Sequence, residues 1–161
     1  VHNALTTPER AERFVTMTGV DLAVCNLGTE HRASGKELCY HGEVSRQIKA
    51  VIGEKIVLHG TSSVPNSQIA GLFDDGICKV NIWTALERDS SPVLLREMTK
   101  NAARVAGTQK VKELITDGLL PASADTGEPA SIKYFTTLYR NGIVSEYMKK
   151  AVREYLDMWY R

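Results

Sequence analysis

The stretch that decides the fold covers residues 56–84 and reads IVLHGTSSVPNSQIAGLFDDGICKVNIWT. Two short apolar runs end in polar residues, and a stretch of helix length separates them. This order predicts a β-α-β unit with parallel strands. In (β/α) barrels, the active site is built at the carboxyl ends of such strands. We therefore expect one pocket to be formed by His59, Gly60, Ser62, Asn81 and Thr84.

Upstream of this stretch the sequence shows the same alternation of helix and strand. Thr7 and Pro8 are typical of a helix N-terminus, and Gly19 is typical of the C-terminus of the same helix. The run LAVCNL over residues 22–27 then predicts a strand. The remaining upstream segments are a polar loop over residues 32–42, a short helix, and a strand over residues 55–58.

Within the deciding stretch, Pro65 lies near a predicted helix start and Gly76 lies at its end. The third strand is expected over residues 77–82. Helical spacing predicts inward faces for the three helices. These faces carry Ala11, Phe14 and Val15 in the first helix, Val44, Ile48 and Val51 in the second, and Ile69, Leu72 and Phe73 in the third.

The predicted strands favour a parallel sheet covered on both faces, because their apolar runs are nearly continuous. Strand-helix alternation narrows the architecture to a doubly wound sheet or a (β/α)8 barrel. A doubly wound sheet that binds a nucleotide usually has a glycine fingerprint, and neither G-x-G-x-x-G nor G-x-x-x-x-G-K-[ST] occurs. The sequence therefore predicts an α/β fold of the (β/α)8 TIM-barrel type, with three βα units.

The C-terminal half is predicted to be helical. Helices are expected over residues 92–114 and 132–161, with a Gly/Pro/Asp/Ser-rich loop over residues 117–129 between them. The last helix has an apolar stripe that needs a partner surface, either on its own barrel or on another subunit. That stripe comprises Tyr147, Ala151, Tyr155 and Met158. We accordingly divide the chain into a barrel part, residues 1–86, and a helical C-terminal extension, residues 87–161.

The composition excludes several classes of partner. The 161 residues include 20 basic and 19 acidic side chains, with no basic block of the kind that binds nucleic acid or anionic membranes. No apolar run approaches the roughly 18 residues of a membrane span. The cysteines form an odd set, and Cys25 and Cys78 lie in or beside apolar runs, where buried thiols are expected. These features predict a reduced, cytoplasmic protein.

Two histidines follow consecutive predicted strands. His31 and His59 occupy equivalent strand ends, where two imidazoles could bind one divalent metal ion. A catalytic zinc site usually takes three protein ligands and leaves one position open. The alternative is that both histidines are only hydrogen-bonded at the rim of a barrel.

The loop Gly60-Thr61-Ser62-Ser63 leads toward a helix, so its amides and hydroxyls could face an anion. Thr84 could add a hydroxyl from the next strand end. The alternative is a simple turn.

An amide in an apolar strand must have its hydrogen bonds satisfied, so Asn81 is expected to face either a barrel-interior partner or a substrate oxygen. Lys79 is expected only to flank the strand. Trp83 is expected to pack, and His41 to be solvated.

Four segments in order resemble the C-terminal part of class II, zinc-dependent ketose-bisphosphate aldolases. TPERAERFVTMTGVDLAV looks like the family's helix entering its sixth strand, and NLGTEH resembles its G-T-x-H motif. LHGTSSVP is similar to L-H-G-G-S-G-[VL]-P, and CKVNIWT is similar to K-[IV]-N-[IV]-x-T. The resemblance covers residues 7–86 and is weaker over residues 87–161.

This resemblance implies roles for particular residues. His31 and His59 match zinc ligands, and Asn81 matches the residue that contacts the substrate at the enediolate centre. Gly60, Ser62 and Thr84 match residues that hold the phosphate of dihydroxyacetone phosphate. The implied reaction is zinc-dependent aldol cleavage or condensation of a phosphorylated ketose. A monovalent cation is a further candidate cofactor, and a dimeric or tetrameric homo-oligomer is expected.

The sequence also departs from the family pattern. Arg32 stands where the family has Gly, and Thr61 and Ser63 replace two glycines of the phosphate loop. Arg32 and Thr61 could contribute to anion binding. No motif here matches the family's remaining zinc histidine or its acid/base aspartate, so we expect a longer chain or a partner to supply them. The alternatives to an aldolase are a non-catalytic remnant used for binding or assembly, and a sugar-phosphate isomerase or epimerase.

Overall fold

The computed structural model describes residues 4–29 and 39–160. In this part of the chain, helices and short parallel strands alternate, and the helices then continue to the C-terminus. The strands are β1 (Ala23–Val24), β2 (Ile56–Leu58) and β3 (Ile77–Val80). The helices are α1 (Pro8–Thr18), α2 (Gly42–Ile52), α3 (Asn66–Ile69), α4 (Thr84–Lys100), α5 (Ala102–Ala106), α6 (Thr108–Thr116), α7 (Ile132–Phe135) and α8 (Thr137–Trp159).

The three strands form one parallel sheet in the order β1-β2-β3. Ala23 pairs with Ile56 in the first ladder, and Leu58 pairs with Val80 in the second. All three residues of β2 are buried, which accounts for its continuous apolar sequence. The strands were predicted correctly in order and direction, although each is shorter than the segment predicted for it.

A β-bulge interrupts the ladder between β2 and β3. Ile56 pairs with Ile77, but the next residue of β2, Val57, pairs with Lys79, so Cys78 is the extra residue. Bulges change the direction of side chains and are common beside active sites. The expectation of a buried thiol was wrong for Cys78, which is exposed because the bulge takes it out of the regular pleat. Cys25 is buried as expected, and burial raises the pKa of its thiol.

Helix α1 begins and ends as its sequence predicts. The Thr7 hydroxyl accepts a hydrogen bond from the Arg10 amide at 3.3 Å, and Pro8 is the first helical residue. Gly19 adopts the left-handed conformation, with φ of 67°, and its amide donates to the carbonyl of Val15. Helix α1 therefore has a defined length between two capped ends.

The remaining helices differ from the prediction in length. Helix α4 begins at Thr84 rather than at Pro92, because residues 85–88 include Ala, Leu, Glu and Arg, which favour helix formation. The predicted helix over residues 92–114 is interrupted at Asn101 and again at Gly107, whose φ is 85°. Extended backbone at Thr136 likewise divides the predicted last helix into α7 and α8.

The core is built on β2 and on the inner faces of the helices. It includes Leu27, Ile48, Ile56, Leu58, Leu72 and Ile77, each of which is at most 1% exposed. Three predicted core residues are exposed instead: Phe14, Val51 and Phe73.

These errors arise because the buried faces of the helices differ from the predicted ones. In α2 the buried line is Ser45, Ile48 and Ile52, so Val51 falls one position away from it. In α1 the line through Ala11 and Val15 passes beside Phe14. Helix α3 ends at Ile69, so the helical spacing that predicted a buried Phe73 does not extend to that residue.

The chain divides into two compact units. One contains Val1–Ala85 and Arg153–Arg161, and the other contains Leu86–Val152. Within the first unit, Tyr155 and Met158 pack against the hydrophobic core of the sheet and helices. Part of the apolar stripe on the last helix therefore finds its partner within the same chain. In the part of the chain that is described, no helix is both long and apolar enough to cross a membrane.

A buried tyrosine just before α2, Tyr40, is hydrogen-bonded to the turn before β3. The Tyr40 hydroxyl donates to Asp75 Oδ2 at 2.9 Å, and Arg46 Nη1 lies 2.6 Å from Asp75 Oδ1. Burial, followed by this hydrogen bond to Asp75, raises the pKa of Tyr40 well above its usual range. The neutral hydroxyl is thus part of the folded structure.

We expect this tyrosine to make stability fall in alkaline solution. The unfolded tyrosine loses its proton near pH 10, whereas the folded Tyr40 keeps it, so the unfolded state gains stability as pH rises through that range. Below about pH 10 the contribution of Tyr40 is fully present. Urea unfolding at increasing pH should show a shallower alkaline loss in Tyr40→Phe. The control Tyr160→Phe, at an 85% exposed site, should keep the wild-type slope, and equal slopes in all three proteins would contradict the assignment.

Candidate functional site

The ends of β2 and β3 bring His59 and Asn81 together. The backbone N–H of Asn81 donates to the backbone carbonyl of Leu58 at 3.1 Å, which extends the pairing of the strands by one residue. The side chains then meet, with Asn81 Nδ2 2.8 Å from His59 Nε2. Both side chains are half-buried. The predicted convergence of these two polar residues is present in the structure.

Thr29 connects this pair to the segment after β1. Its hydroxyl donates to the carbonyl of His59 at 2.6 Å, across the carboxyl ends of the strands. Just before it, Gly28 has φ of 87°, and a Cβ at that position would lie 2.2 Å from the Cys39 carbonyl oxygen. Only glycine permits this close approach of two backbone segments. Thr29 therefore helps to fix the backbone that carries His59.

The loop after His59 forms a tight turn beside Asn81. Gly60 is left-handed, with φ of 71°, and a 3₁₀ turn over Thr61–Ser63 follows it. Thr61 is 2% exposed, and its hydroxyl donates to the carbonyl of Asn81 at 3.2 Å. One hydrogen bond thus ties the loop after β2 to the end of β3.

A small cleft lies between this loop and the start of α4. Its lining residues are Gly60, Thr61, Ser62, Asn81, Ile82, Trp83, Thr84 and Ala85. The volume is about 30 Å³, which is enough for a water molecule but not for a phosphate group. The cleft is therefore too small to enclose a phosphate group. Six predicted site residues lie in the described part of the chain, and all of them except His59 line this cleft.

Two predicted site residues, His31 and Arg32, lie outside the described part of the chain. Of the two predicted zinc ligands, the structure therefore describes only His59. Among residues 4–29 and 39–160, no three His, Cys, Asp or Glu side chains form a metal-binding group. The amide nitrogen of Asn81 lies 2.8 Å from Nε2 of His59, so a metal ion bound at Nε2 would take the place of this contact. A neutral imidazole is a common zinc ligand, and the side-chain chemistry of His59 therefore fits the predicted role.

Sequence reasoning missed two contributors to the site. Thr29 was not selected, and Lys79 was expected only to flank β3, yet Lys79 Nζ donates to Asn81 Oδ1 at 2.9 Å. The spacing of two residues along a strand could have indicated the second contact. Trp83 was expected to pack but is 60% exposed at the cleft. His41, expected to be solvated, is half-buried next to Gly28.

Comparison with known proteins identifies the family and the fold. Over residues 1–158 the sequence matches the family described as fructose-bisphosphate aldolase class-II. Among solved structures, the YdjI aldolase from Escherichia coli is 21% identical, with a TM-score of 0.64. Fructose-bisphosphate aldolase from Campylobacter jejuni is 16% identical, with a TM-score of 0.65.

The two alignments cover 96% of this chain but only 46% and 45% of those proteins. The chain therefore spans just under half the length of these structural relatives. At these identities the likeness establishes the fold, and the prediction of an α/β, barrel-type fold represented in part is confirmed.

Proposed function

Since the chain belongs to the class-II fructose-bisphosphate aldolase family, we propose that it forms the metal-binding and phosphate-binding portion of an aldolase. The reaction is the reversible cleavage of a ketose bisphosphate to dihydroxyacetone phosphate and an aldehyde. The contact of 2.8 Å between Asn81 and His59 is the observation that carries this proposal. In this contact an amide lies directly beside an imidazole, and the proposal assigns the amide to a substrate oxygen and the imidazole to the metal.

In this proposal His59 and His31 would hold zinc, which would supply Lewis-acid chemistry for the aldol reaction. Asn81 orients the substrate through the nitrogen of its side-chain amide. Lys79 donates to the oxygen of that amide, and Thr61 donates to the backbone carbonyl of Asn81. A preoriented donor stabilises developing negative charge without reorganising during the reaction. We propose that a longer chain or a partner supplies the remaining zinc ligand and the acid/base residue, and a monovalent cation is a further candidate cofactor.

The phosphate group is proposed to bind at the mouth of the small cleft. Gly60, Thr61 and Ser62 border it on one side, and Thr84 borders it on the other, at the first turn of α4. Backbone amides at a helix start favour an anion. Because the Thr61 hydroxyl is already bonded to Asn81, Ser62 and Thr84 are the hydroxyls best placed for phosphate, with Arg32 as a further candidate.

The assembly proposed for this activity is a homo-oligomer, a dimer or tetramer. The proposed compartment is the cytoplasm. Cys25, Cys39 and Cys78 are all free thiols, which agrees with a reducing environment. The proposed ligands are phosphorylated ketoses and dihydroxyacetone phosphate.

Replacing Thr84 with valine should weaken binding of the phosphorylated substrate. A hydrogen bond to a charged group contributes about 1.5–3 kcal/mol, so we expect KM to rise roughly 10- to 100-fold with a smaller change in kcat. The measurement is the steady-state rate of aldol cleavage in the assembled enzyme. Thr116→Val is the matched control, because the Thr116 hydroxyl bonds only within α6, to the carbonyl of Lys112.

An unchanged KM in Thr84→Val would remove Thr84 from the phosphate site. Absence of aldol cleavage in the wild-type assembly with zinc present would instead reject the catalytic proposal and favour the non-catalytic remnant. The two results separate the role of one residue from the function of the whole protein.

A further inference from the structure

Thr61 carries a buried hydroxyl between the two strand ends of the site. Only 2% of the residue is exposed, and the hydroxyl donates to the backbone carbonyl of Asn81 at 3.2 Å. The motif that LHGTSSVP resembles has glycine at this position, and glycine has no side chain that could make such a bond. This hydrogen bond is therefore a feature of this sequence and not of the motif.

Two hydrogen bonds hold the backbone of Asn81. Its N–H donates to the carbonyl of Leu58 at 3.1 Å, and its own carbonyl accepts from Thr61. The first bond lies at the end of the sheet, and the second fixes the peptide that leads from Asn81 toward α4. Turning this peptide would leave the buried hydroxyl of Thr61 without a partner, which is costly.

The side chain of Asn81 depends on this backbone position. Its Oδ1 accepts from Lys79 at 2.9 Å, and its Nδ2 lies 2.8 Å from His59 Nε2. We propose that Thr61 is a positioning residue, whose hydroxyl holds Asn81 at the end of β3 instead of binding phosphate. The placement rests on hydrogen bonds within the chain, and its importance for turnover rests on the proposed function.

The test compares Thr61→Val, which replaces the hydroxyl with a methyl group, with Thr61→Ser, which keeps the hydroxyl. In the assembled enzyme, Thr61→Val should lower kcat for aldol cleavage roughly 10- to 100-fold, since a misplacement of about 1 Å can cost about 100-fold in rate. The change in KM should be smaller, and Thr61→Ser should restore most of kcat. A rise in KM without a fall in kcat would make Thr61 a phosphate contact and overturn the proposal, as would an unchanged kcat.

Thr108→Val is the matched control. The Thr108 hydroxyl makes the same kind of bond, at 3.2 Å to the backbone carbonyl of Glu128, and the two residues are likewise 20 positions apart. Its loss should lower the free energy of unfolding and leave kcat at the wild-type value. An equal fall of kcat in Thr61→Val and Thr108→Val would show a general effect on folding and overturn the proposal.

A second measurement does not need activity. In ¹³C NMR of the full chain, the carbonyl resonance of Asn81 should move upfield in Thr61→Val, because its hydrogen bond is lost, and stay in place in Thr61→Ser and Thr108→Val. In the wild type, the Thr61 hydroxyl proton should exchange slowly with water. Rapid exchange would overturn the proposal even if Thr61→Val failed to fold. An inactive wild type with slow exchange and the expected shift would reject the proposed function and leave the placement of Asn81 by Thr61 standing.

Discussion

His59→Ala is expected to lose bound zinc and aldol cleavage together. The substitution removes one of the imidazoles proposed to hold the metal and also the partner of Asn81. Loss of an outer partner of a metal ligand already costs roughly 10- to 100-fold in affinity or activity. Loss of the ligand itself should exceed the upper value. Zinc content per chain and the rate of aldol cleavage should be measured on the same preparation.

His41→Ala is the matched control for this experiment. His41 lies beside Gly28 and is half-buried, but it has no contact with Asn81 among the described residues. It should keep wild-type zinc content. If His59→Ala retained zinc with normal stoichiometry, His59 would not be a ligand. If it lost zinc but kept activity, the reaction would not use the metal.

Ile48→Ala is expected to cause a large loss of stability. Ile48 is fully buried on the inner face of α2, within the hydrophobic core that contains Leu58 and Ile77. Removing a large aliphatic side chain from a core costs about 2–5 kcal/mol, because transfer energy is lost and a cavity remains. The free energy of unfolding of a native protein is roughly 5–15 kcal/mol, so this substitution would remove a large part of it. Urea unfolding measures the change in the free energy of unfolding.

Val51→Ala on the same helix provides the comparison. Val51 is 41% exposed, and substitutions at such positions usually change stability by about 0.5 kcal/mol or less. The sequence pattern had placed Val51 in the core beside Ile48. Equal effects of the two substitutions would mean that the inner face of α2 is assigned incorrectly.

The order of elements and the meeting of His59 with Asn81 were accessible from sequence, because they follow from local patterns. Capping by Thr7 and Gly19 is encoded in adjacent residues, and parallel strands necessarily bring their carboxyl ends to one edge. Helix faces were less accessible, since an error of one residue rotates the face by about 100°. Val51 and Phe14 illustrate this sensitivity.

The bulge at Cys78 could not be predicted from the strand pattern. An apolar run gives no sign of the extra residue that takes Cys78 out of the pleat and separates buried Ile77 from exposed Lys79. Lys79 was expected to flank the strand, although its spacing of two residues from Asn81 puts both on one face. The Thr61 hydroxyl was expected to face an anion, but its partner is the backbone carbonyl of Asn81, a contact that depends on the tertiary structure.

His59 is proposed to hold zinc beside Asn81. Anomalous scattering at the zinc edge, from crystals of the assembled protein grown with zinc, tests this claim directly. We expect a strong peak about 2.0–2.1 Å from a nitrogen of the His59 ring. Well-ordered crystals containing zinc elsewhere, with no peak at His59, would contradict the account.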